Sequence, residues 1–509
     1  MALRVVPDTR WAQLSGFIAD AMGLHFPRER WSDLQRGLAG AATEFGFEDV
    51  AACTDWLLSA PRTKAQLQTL ASHLTIGETY FFREKQTFEV LAHRVLPGLI
   101  HSRRGREQRL RLWSAGCCTG EEAYSLAILL RQLIPDLADW QVTILATDIN
   151  PHFLRKAVVG SYGEWSFRDA PAGFKEVYFH RNKDGRYVVV PEIKAMVTFE
   201  HLNLVEDVYP SLATDTNAMD LIFCRNVLMY FTPAQTRKAI GRLHHTLLDG
   251  GWLAVSPSEA SQALFPQFAT RNFPGVILYQ KSEAEVGSTG FQSAVSPISN
   301  RPSADPGGNT EPAGHLAGWN PMTQQTECLC YITPPPPAPM KPSPTPYAAA
   351  VSFYEQGRYA EAADTLLALG NGHVATPTAC SLLTRALANQ GKLAEALMWC
   401  DRWTAADKLD AAGHYLRAVV LLEQGDPEQA SRALQRAVYL QPAFVLAHFA
   451  MGNLARSGGR NVEADKHFAN ALHLLARLQP DMLLPESDGL TAAGLTETIT
   501  TLTALENAR

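Results

Sequence analysis

Apolar runs of the length a membrane span needs, ~18 residues or more, are missing from this chain of 509 residues. No helix that crosses a bilayer is expected. The opening residues, Met-Ala-Leu-Arg-Val-Val-Pro-Asp, lack the apolar core of a signal peptide. Strong charge of either sign is missing too. The net charge is −6, which argues against a general nucleic-acid binder. The eight cysteines are scattered, and none falls in a Cys-x-x-Cys pair. Cys117 and Cys118 are neighbours that cannot easily bridge each other. Reduced thiols, no structural zinc and a cytoplasmic location are the expectation. The 15 histidines show no metal-ligand spacing. His244 and His245 fall on one predicted helix facing different directions, so no metal is expected there.

What the chain does have is a strand, a small-residue loop and an amphipathic helix between Arg109 and Leu130. Apolar residues dominate Leu110 to Ala115, Gly116 and Gly120 punctuate a turn, and Leu126, Ile128, Leu129 and Leu130 follow in helical register. Such a loop lets a ligand approach backbone N–H groups at a positive helix end. The spacing is Gly-x-x-x-Gly, so the dinucleotide fingerprint is not met. The next strand, Gln141 to Thr147, ends in Asp148, 28 residues beyond Gly120. An acidic residue at the end of a second strand is where doubly wound folds hold ribose hydroxyls. Together these features predict a nucleoside-bearing cofactor across the strand ends.

Residues 1 to about 90 read as helical, with periodic stretches at Trp11–Met22, Arg30–Phe45, Val50–Leu58 and Thr63–Leu74. Residues 91–281 read as α/β with a mostly parallel sheet. Its candidate strands are Leu110–Ala115, Val142–Thr147, Val197–Leu202, Leu221–Cys224, Trp252–Ser256 and Val276–Gln280. Its candidate helices are Glu121–Leu133, Pro151–Val159 and Pro233–Leu248. Asp184-Gly185 before Tyr187-Val-Val-Val190 signals a hairpin, and hence a small β insertion at about 160–195. Residues 282–346 read as a Pro-rich disordered linker, with thirteen prolines from Pro297 to Pro346 and Cys328-x-Cys330 within it. Beyond it, Gly357, Gly391, Gly425 and Gly459 recur every 34 residues, as do Ala362, Ala396, Ala430 and Ala464. This period resembles tetratricopeptide repeats over 347–480, a helical solenoid that would hold a protein or peptide partner. Residues 481–509 read as a C-terminal tail.

Four motifs fall in order along the first half: Leu74-Thr-Ile-Gly-Glu-Thr-Tyr-Phe-Phe-Arg-Glu84, Trp113-Ser-Ala-Gly-Cys-Cys-Thr-Gly-Glu-Glu122, Ala146-Thr-Asp-Ile-Asn150 and Phe223-Cys-Arg-Asn-Val-Leu-Met-Tyr-Phe231. Over roughly residues 10–281 the chain resembles the CheR-type chemoreceptor methyltransferases, some of which carry C-terminal tetratricopeptide repeats. The resemblance implies three parts. They are an all-α N-terminal substrate-recognition domain, an α/β S-adenosylmethionine-dependent methyltransferase domain with a small β insertion, and an all-α solenoid. It also implies methyl transfer to glutamate side chains on the cytoplasmic domain of a chemoreceptor, without membrane insertion.

Carried over by motif, the cofactor contacts fall on Gly77, Thr79, Arg83, Glu121, Glu122, Asp148, Asn203, Leu204, Arg225 and Asn226, with Arg83 and Tyr230 as the catalytic residues, the Tyr230 ring beside the reacting methyl and Arg83 orienting from the cofactor side. Other readings stay open. Asp148 could cap the helix that starts at Pro151. Thr119 and Glu122 have capping-box spacing, which would turn Glu121 to the ligand, whereas the family favours Glu122. Asn203 could be a turn residue, and Phe81 and Phe82 read as core. Two departures stand out. Gly77 occupies a position where many members have Asn. The second helix lacks closely spaced Arg-Leu pairs and leaves Arg28, Arg30 and Arg36. Arg103, Arg104, Arg106, Arg109 and Arg111 read as a solvated connector. A cofactor-binding scaffold without turnover, or a methyltransferase of another substrate, are the competing readings.

Overall fold

Three of the first four helices stop or start at a residue suited to the role. The computed structural model describes residues 6–171, 173–282, 345–369 and 376–506. Helix α1 (Asp8–Met22) ends at Gly23 in the left-handed region. Helix α2 spans Trp31–Glu44. Asp49 caps α3 (Val50–Leu57), and a capping box of Thr63 and Gln66 opens α4 (Lys64–Leu74). Leu14, Ile18, Leu34, Leu38, Leu57 and Leu70 bury the shared apolar face. Helices α5 (Lys85–Val90) and α6 (Leu96–Arg103) lead into the sheet.

Seven strands follow: β1 (Arg109–Ala115), β2 (Gln141–Asp148), β6 (Val197–His201), β7 (Met219–Phe223), β8 (Leu247–Ala254), β9 (Phe268–Phe273) and β10 (Val276–Lys281). Their order is β6-β2-β1-β7-β8-β10-β9. The first five are parallel, and β10 and β9 close the edge as an antiparallel pair. Helices α7 (Glu121–Leu133), α8 (Pro151–Val159) and α11 (Pro233–Thr246) make the crossovers. Every residue of β1 is buried, as expected of a central parallel strand. Strand β9 has no counterpart in the sequence reading. It is an edge strand whose Arg271 and Asn272 are exposed, so its apolar signal is thin.

The excursion after α8 comprises β3 (Ser161–Tyr162), α9 (Phe174–Tyr178), β4 (Phe179–Arg181), β5 (Tyr187–Val189) and α10 (Pro191–Lys194). Its sheet runs β3-β5-β4, with β4 and β5 paired across the Asp184-Gly185 turn. Phe81 lies 5.0 Å from the rings of Tyr162, Phe167 and Phe179, and both Phe81 and Phe82 are core residues.

Four helix pairs form the solenoid: α12 (Pro346–Glu355) with α13 (Tyr359–Ala368), α14 (Pro377–Asn389) with α15 (Leu393–Ala406), α16 (Ala411–Glu423) with α17 (Pro427–Leu440), and α18 (Val445–Ser457) with α19 (Asn461–Leu475). The alanines repeated every 34 residues are 0% exposed. A larger side chain there would push paired helices apart.

Sheet domain and solenoid form one compact unit. The repeat glycines show why. Gly357, Gly391 and Gly425 have φ of +71°, +72° and +77°, as the turn inside each pair requires. A Cβ at Gly357 would meet His245, one at Gly391 would meet Leu248 and Arg109, and one at Gly425 would meet Gln141. Three successive turns thus abut residues at the amino ends of β1, β2 and β8. Arg109 pairs with Glu423 at 3.1 Å, with side chains 3% and 4% exposed. Asn217 donates to the same carboxylate at 3.0 Å.

The solvated-connector reading of the arginine cluster holds at Arg104 and Arg106, which are exposed, and fails at the other three. Arg109 and Arg111 belong to β1 and are buried, Arg111 being paired with Asp215. Arg103 pairs with buried Asp220. Spacing alone could not reveal that their partners lie more than 100 residues away. The stretch past 480 is likewise more than a tail. Leu483 bridges Thr491, and α20 (Ala492–Glu506) follows. The linker reading lies outside the described residues except at its two ends.

Candidate functional site

Strand order reverses around β1, so β2 and β7 diverge on either side of it and leave a crevice at their carboxyl ends. A pocket fills that crevice. Gly116, Cys117 and Cys118 line it after β1, Asp148 and Ile149 after β2, Leu202, Asn203 and Leu204 after β6, and Arg225, Asn226 and Val227 after β7. Thr79, Arg83 and Glu122 complete that side. Opposite them, the end of α1 contributes Met22, and the connection from α1 to α2 contributes Leu24, His25, Phe26 and Arg30.

Of the residues expected from the sequence, Thr79, Arg83, Glu122, Asp148, Asn203, Leu204, Arg225, Asn226 and Tyr230 line this pocket. Gly77 and Glu121 do not. A Cβ on Gly77 would stand 2.5 Å from Phe153 Cζ, because the pocket-lining Phe153 ring takes the space a larger side chain would use. Glu121 turns to the hydroxyls of Thr119 (2.7 Å) and Ser166 (3.0 Å). The capping box of Thr119 and Glu122 does not form, because Thr119 is spent on Glu121 and Gly120 occupies the N-cap.

The glycine loop also differs from its reading. The N–H groups of Gly116 and Cys117 donate to the Thr147 carbonyl at 2.8 and 2.9 Å, and that of Gly120 to the Cys117 carbonyl at 3.0 Å. They brace the loop and are not free for a ligand. Gly116, at φ +86°, lets Val227 approach: a Cβ there would meet Val227 Cγ2 at 2.4 Å.

Asp148 is the most informative carboxylate. Cys118 N–H and Asn150 N–H each donate to it at 2.8 Å. Burial pushes its pKa up to about 6 against those hydrogen bonds, and no ion-pair partner stands beside it among the described residues. Capping of α8 falls to Asn150, which accepts from His152 and Phe153 N–H. Glu122 accepts from Ser114 Oγ at 2.7 Å and pairs with Arg225 at 3.3 Å. Burial raises its pKa, and the Arg225 guanidinium opposes the rise. Arg225, 1% exposed, also pairs with Glu84 at 2.8 Å and donates to the Arg83 carbonyl at 2.6 Å. It thereby couples the Arg83 segment to β7.

Asn203 spends its amide on the Ala21 carbonyl (2.8 Å) and Glu206 (3.3 Å), and its Oδ1 accepts from Val205 N–H. It ties the N-terminal helices to the pocket floor. The Tyr230 carbonyl accepts from His25 N–H at 2.7 Å, and the Arg30 guanidinium lies 5.9 Å from the Tyr230 ring centroid. Of the thinned basic residues at and before the second helix, Arg28 pairs with Asp8 and Arg36 with Asp33, while Arg30 both pairs with Asp33 at 3.3 Å and lines the pocket.

One supporting residue has no motif signal at all. Buried Glu259, just past β8, accepts from the N–H groups of Asn226 (2.8 Å), Val227 (2.8 Å), Met229 (3.1 Å) and Ser256 (3.0 Å). It holds Asn226 at φ +59°, a left-handed conformation that needs such anchoring.

The family profile described as "CheR methyltransferase, SAM binding domain" matches residues 77–273. "Chemotaxis protein methyltransferase 1" of Pseudomonas aeruginosa is 38% identical over 213 residues, 41% of this chain and 75% of that protein. An "Uncharacterized 104.1 kDa protein in hypE 3'region" of Rhodobacter capsulatus is 34% identical over 216 residues, 42% of this chain, and the match spans only 22% of that longer protein. The crystal structure of MamA aligns with 26% of this chain and 77% of its own, at 20% identity and a TM-score of 0.25.

Proposed function

The chain belongs to the CheR family of chemotaxis methyltransferases, and from that premise we propose that it methylates glutamate side chains of a chemoreceptor, giving glutamate methyl esters and S-adenosylhomocysteine. The observation that carries this reading is the convergence of Arg83, Glu122, Asp148 and Tyr230 on one pocket at the sheet's switch point. The residues suit S-adenosylmethionine. Asp148 offers a buried carboxylate with no cation paired to it among the described residues, which leaves it to accept from ribose hydroxyls, and Met22, Leu24, Phe153 and Phe231 add apolar wall.

When bound, the cofactor supplies a sulfonium methyl whose carbon bonds to the substrate carboxylate as the C–S electron pair stays on sulfur. A glutamate with a pKa of about 4.3 is already ionised at neutral pH, so no general base is needed and no proton moves. The protein's task is alignment and removal of water. Asp148 holds the cofactor. Glu122 and Arg225 keep the Arg83 segment in place, with Arg83 on the cofactor side, where it does not blunt the nucleophile by pairing with it. Tyr230 and Arg30 wall the side contributed by the N-terminal helices. The solenoid takes a protein partner.

Incubation with methyl-labelled cofactor and receptor-bearing membranes, followed by base, tests the chemistry. Label released as methanol is expected. Label that stays on protein in base would refute glutamate esterification.

A further inference from the structure

The inner surface of the solenoid is already engaged by this chain's own acidic turn. On α14, Ser381, Arg385 and Asn389 are four residues apart and share one face. Their equivalents 34 residues on, Tyr415, Val419 and Glu423, share a face of α16. Tyr354 of α12 joins them. The turn Leu484-Pro-Glu-Ser-Asp-Gly-Leu490 lies against the α12 and α14 part of this surface, whereas Glu423 turns to Arg109 and Asn217.

Asp488 accepts from Arg385 Nη1 at 2.8 Å and from the Tyr354 hydroxyl at 2.9 Å. Asn389 donates to that hydroxyl at 3.0 Å. Glu486 accepts from Ser381 Oγ. Leu484 and Leu490 flank the acidic pair and are buried in the solenoid core. Every repeat group that touches the turn's carboxylates is a donor, so the surface selects an anion.

Two features mark this engagement as exchangeable. Glu486 and Asp488 sit at φ of +62° and +54°, a left-handed conformation that non-glycine residues adopt only when contacts hold it. The pairing is also incomplete: Arg385 Nε, Asn389 Oδ1 and Asp488 Oδ2 are buried without a hydrogen-bond partner among the described residues. Arg385 Nε is the repeats' own donor and stands 3.9 Å from Glu486 Oε2, so a peptide carboxylate that bonded it would gain a hydrogen bond the turn lacks and compete.

We propose that the Leu484–Leu490 turn is an intramolecular ligand of the repeats, and that an acidic peptide with apolar flanks, carried by a partner protein, exchanges with it on Tyr354, Ser381, Arg385 and Asn389. The exchange reaches the catalytic half. The Ser487 carbonyl accepts from Ser211 Oγ at 3.0 Å. Past the turn, Glu497 of α20 pairs with Lys64 of α4 at 3.2 Å, accepts from Gln68 and stands 3.8 Å from His201 at the end of β6. Leu202 and Asn203, the next two residues, line the cofactor pocket. Displacing the turn therefore loosens a strap that joins α4 to the pocket floor. If the turn exchanges, this strap is the element that both sites bias.

The test uses the full chain and a fluorescent peptide of residues 482–491. The chain's own turn competes in cis. The E486A/D488A chain should therefore bind the peptide at least about ten-fold more tightly than the unsubstituted chain, and adding R385E should abolish the gain. Equal affinity for the two chains, or indifference to R385E, would overturn the proposal. Hydrogen exchange on the unsubstituted chain is independent of how the variants fold. With the peptide at about 1–10 mM, matching the effective concentration of a tethered segment, amides of residues 484–506 should exchange faster. Unchanged exchange would also overturn the proposal.

Discussion

Replacing Glu423 with alanine should separate what the solenoid does by docking from what it does by folding. In the folded chain Glu423 receives Arg109 at 3.1 Å and Asn217 at 3.0 Å, and both charged side chains are almost wholly buried. Truncation leaves the Arg109 guanidinium in the seam with no directly paired carboxylate among the described residues, Asp220 acting on it only at longer range. Breaking one side of a buried pair costs about 3–5 kcal/mol. The orphaned Asn217 amide costs about 1–3 kcal/mol more if considered alone, but the two penalties share one carboxylate and do not add fully. Arg109 can escape by hydration only if the solenoid lifts from the amino ends of β1 and β2. Undocking therefore sets the ceiling on the loss. Urea unfolding of E423A should show the sheet domain destabilised by about 3–5 kcal/mol, and X-ray scattering should show an expanded particle if undocking is the cheaper route. The R109M/E423L double variant removes both charges and should recover most of the loss. Stability of E423A within about 0.5 kcal/mol of the parent, the range of ordinary surface changes, would refute a buried pair at this seam.

The Asp148 carboxyl, pushed up to about 6 by burial, should make cofactor affinity fall as pH drops through about 6, because ribose hydroxyls need the ionised acceptor. Calorimetry on D148N should show a flat profile and binding weaker by about 1.5–3 kcal/mol. Its effect on the unliganded fold has the opposite sign. A carboxyl raised from 3.8 to about 6 favours the folded state at low pH, and that contribution is lost as pH rises from about 4 through 6. Arg225→Ala strands Glu84 and Glu122 together and should cost about 3–5 kcal/mol in denaturant unfolding; a smaller loss in the R225A/E122Q double variant would confirm that the carboxylates are the cause. Gly116→Ala forces a side chain into φ +86° and onto Val227. It should cost at least about 1–2 kcal/mol and weaken cofactor binding by calorimetry, whereas unchanged stability would mean that the loop relaxes.

Local periodicity was enough to outline much of this protein. Helices Glu121–Leu133 and Pro151–Val159, the buried core strands and the Asp184-Gly185 hairpin were legible because hydrophobic spacing and turn residues act over a few neighbours. The 34-residue rhythm of glycine and alanine marked the helix pairs for the same reason. Nine expected site residues line one pocket because strand ends are easily read and a parallel sheet gathers them at one edge.

Other features depend on which distant groups meet. Glu121 and Glu122 are adjacent in sequence, and only the approach of Arg225 on one side and Ser166 on the other sends them to different tasks. Glu259 braces the pocket from an unmarked position. Arg109 and Arg111 read as solvated charge, yet they lie in a central strand because Glu423 and Asp215 arrive from remote segments to meet them. A charged residue carries no local mark of a partner hundreds of positions away. The repeats' self-occupied face, and the strap from it to the pocket floor, arise in the same way. Pattern along the chain determined the elements and their faces, and tertiary contact alone decided which buried charges are paired and which surfaces are already taken.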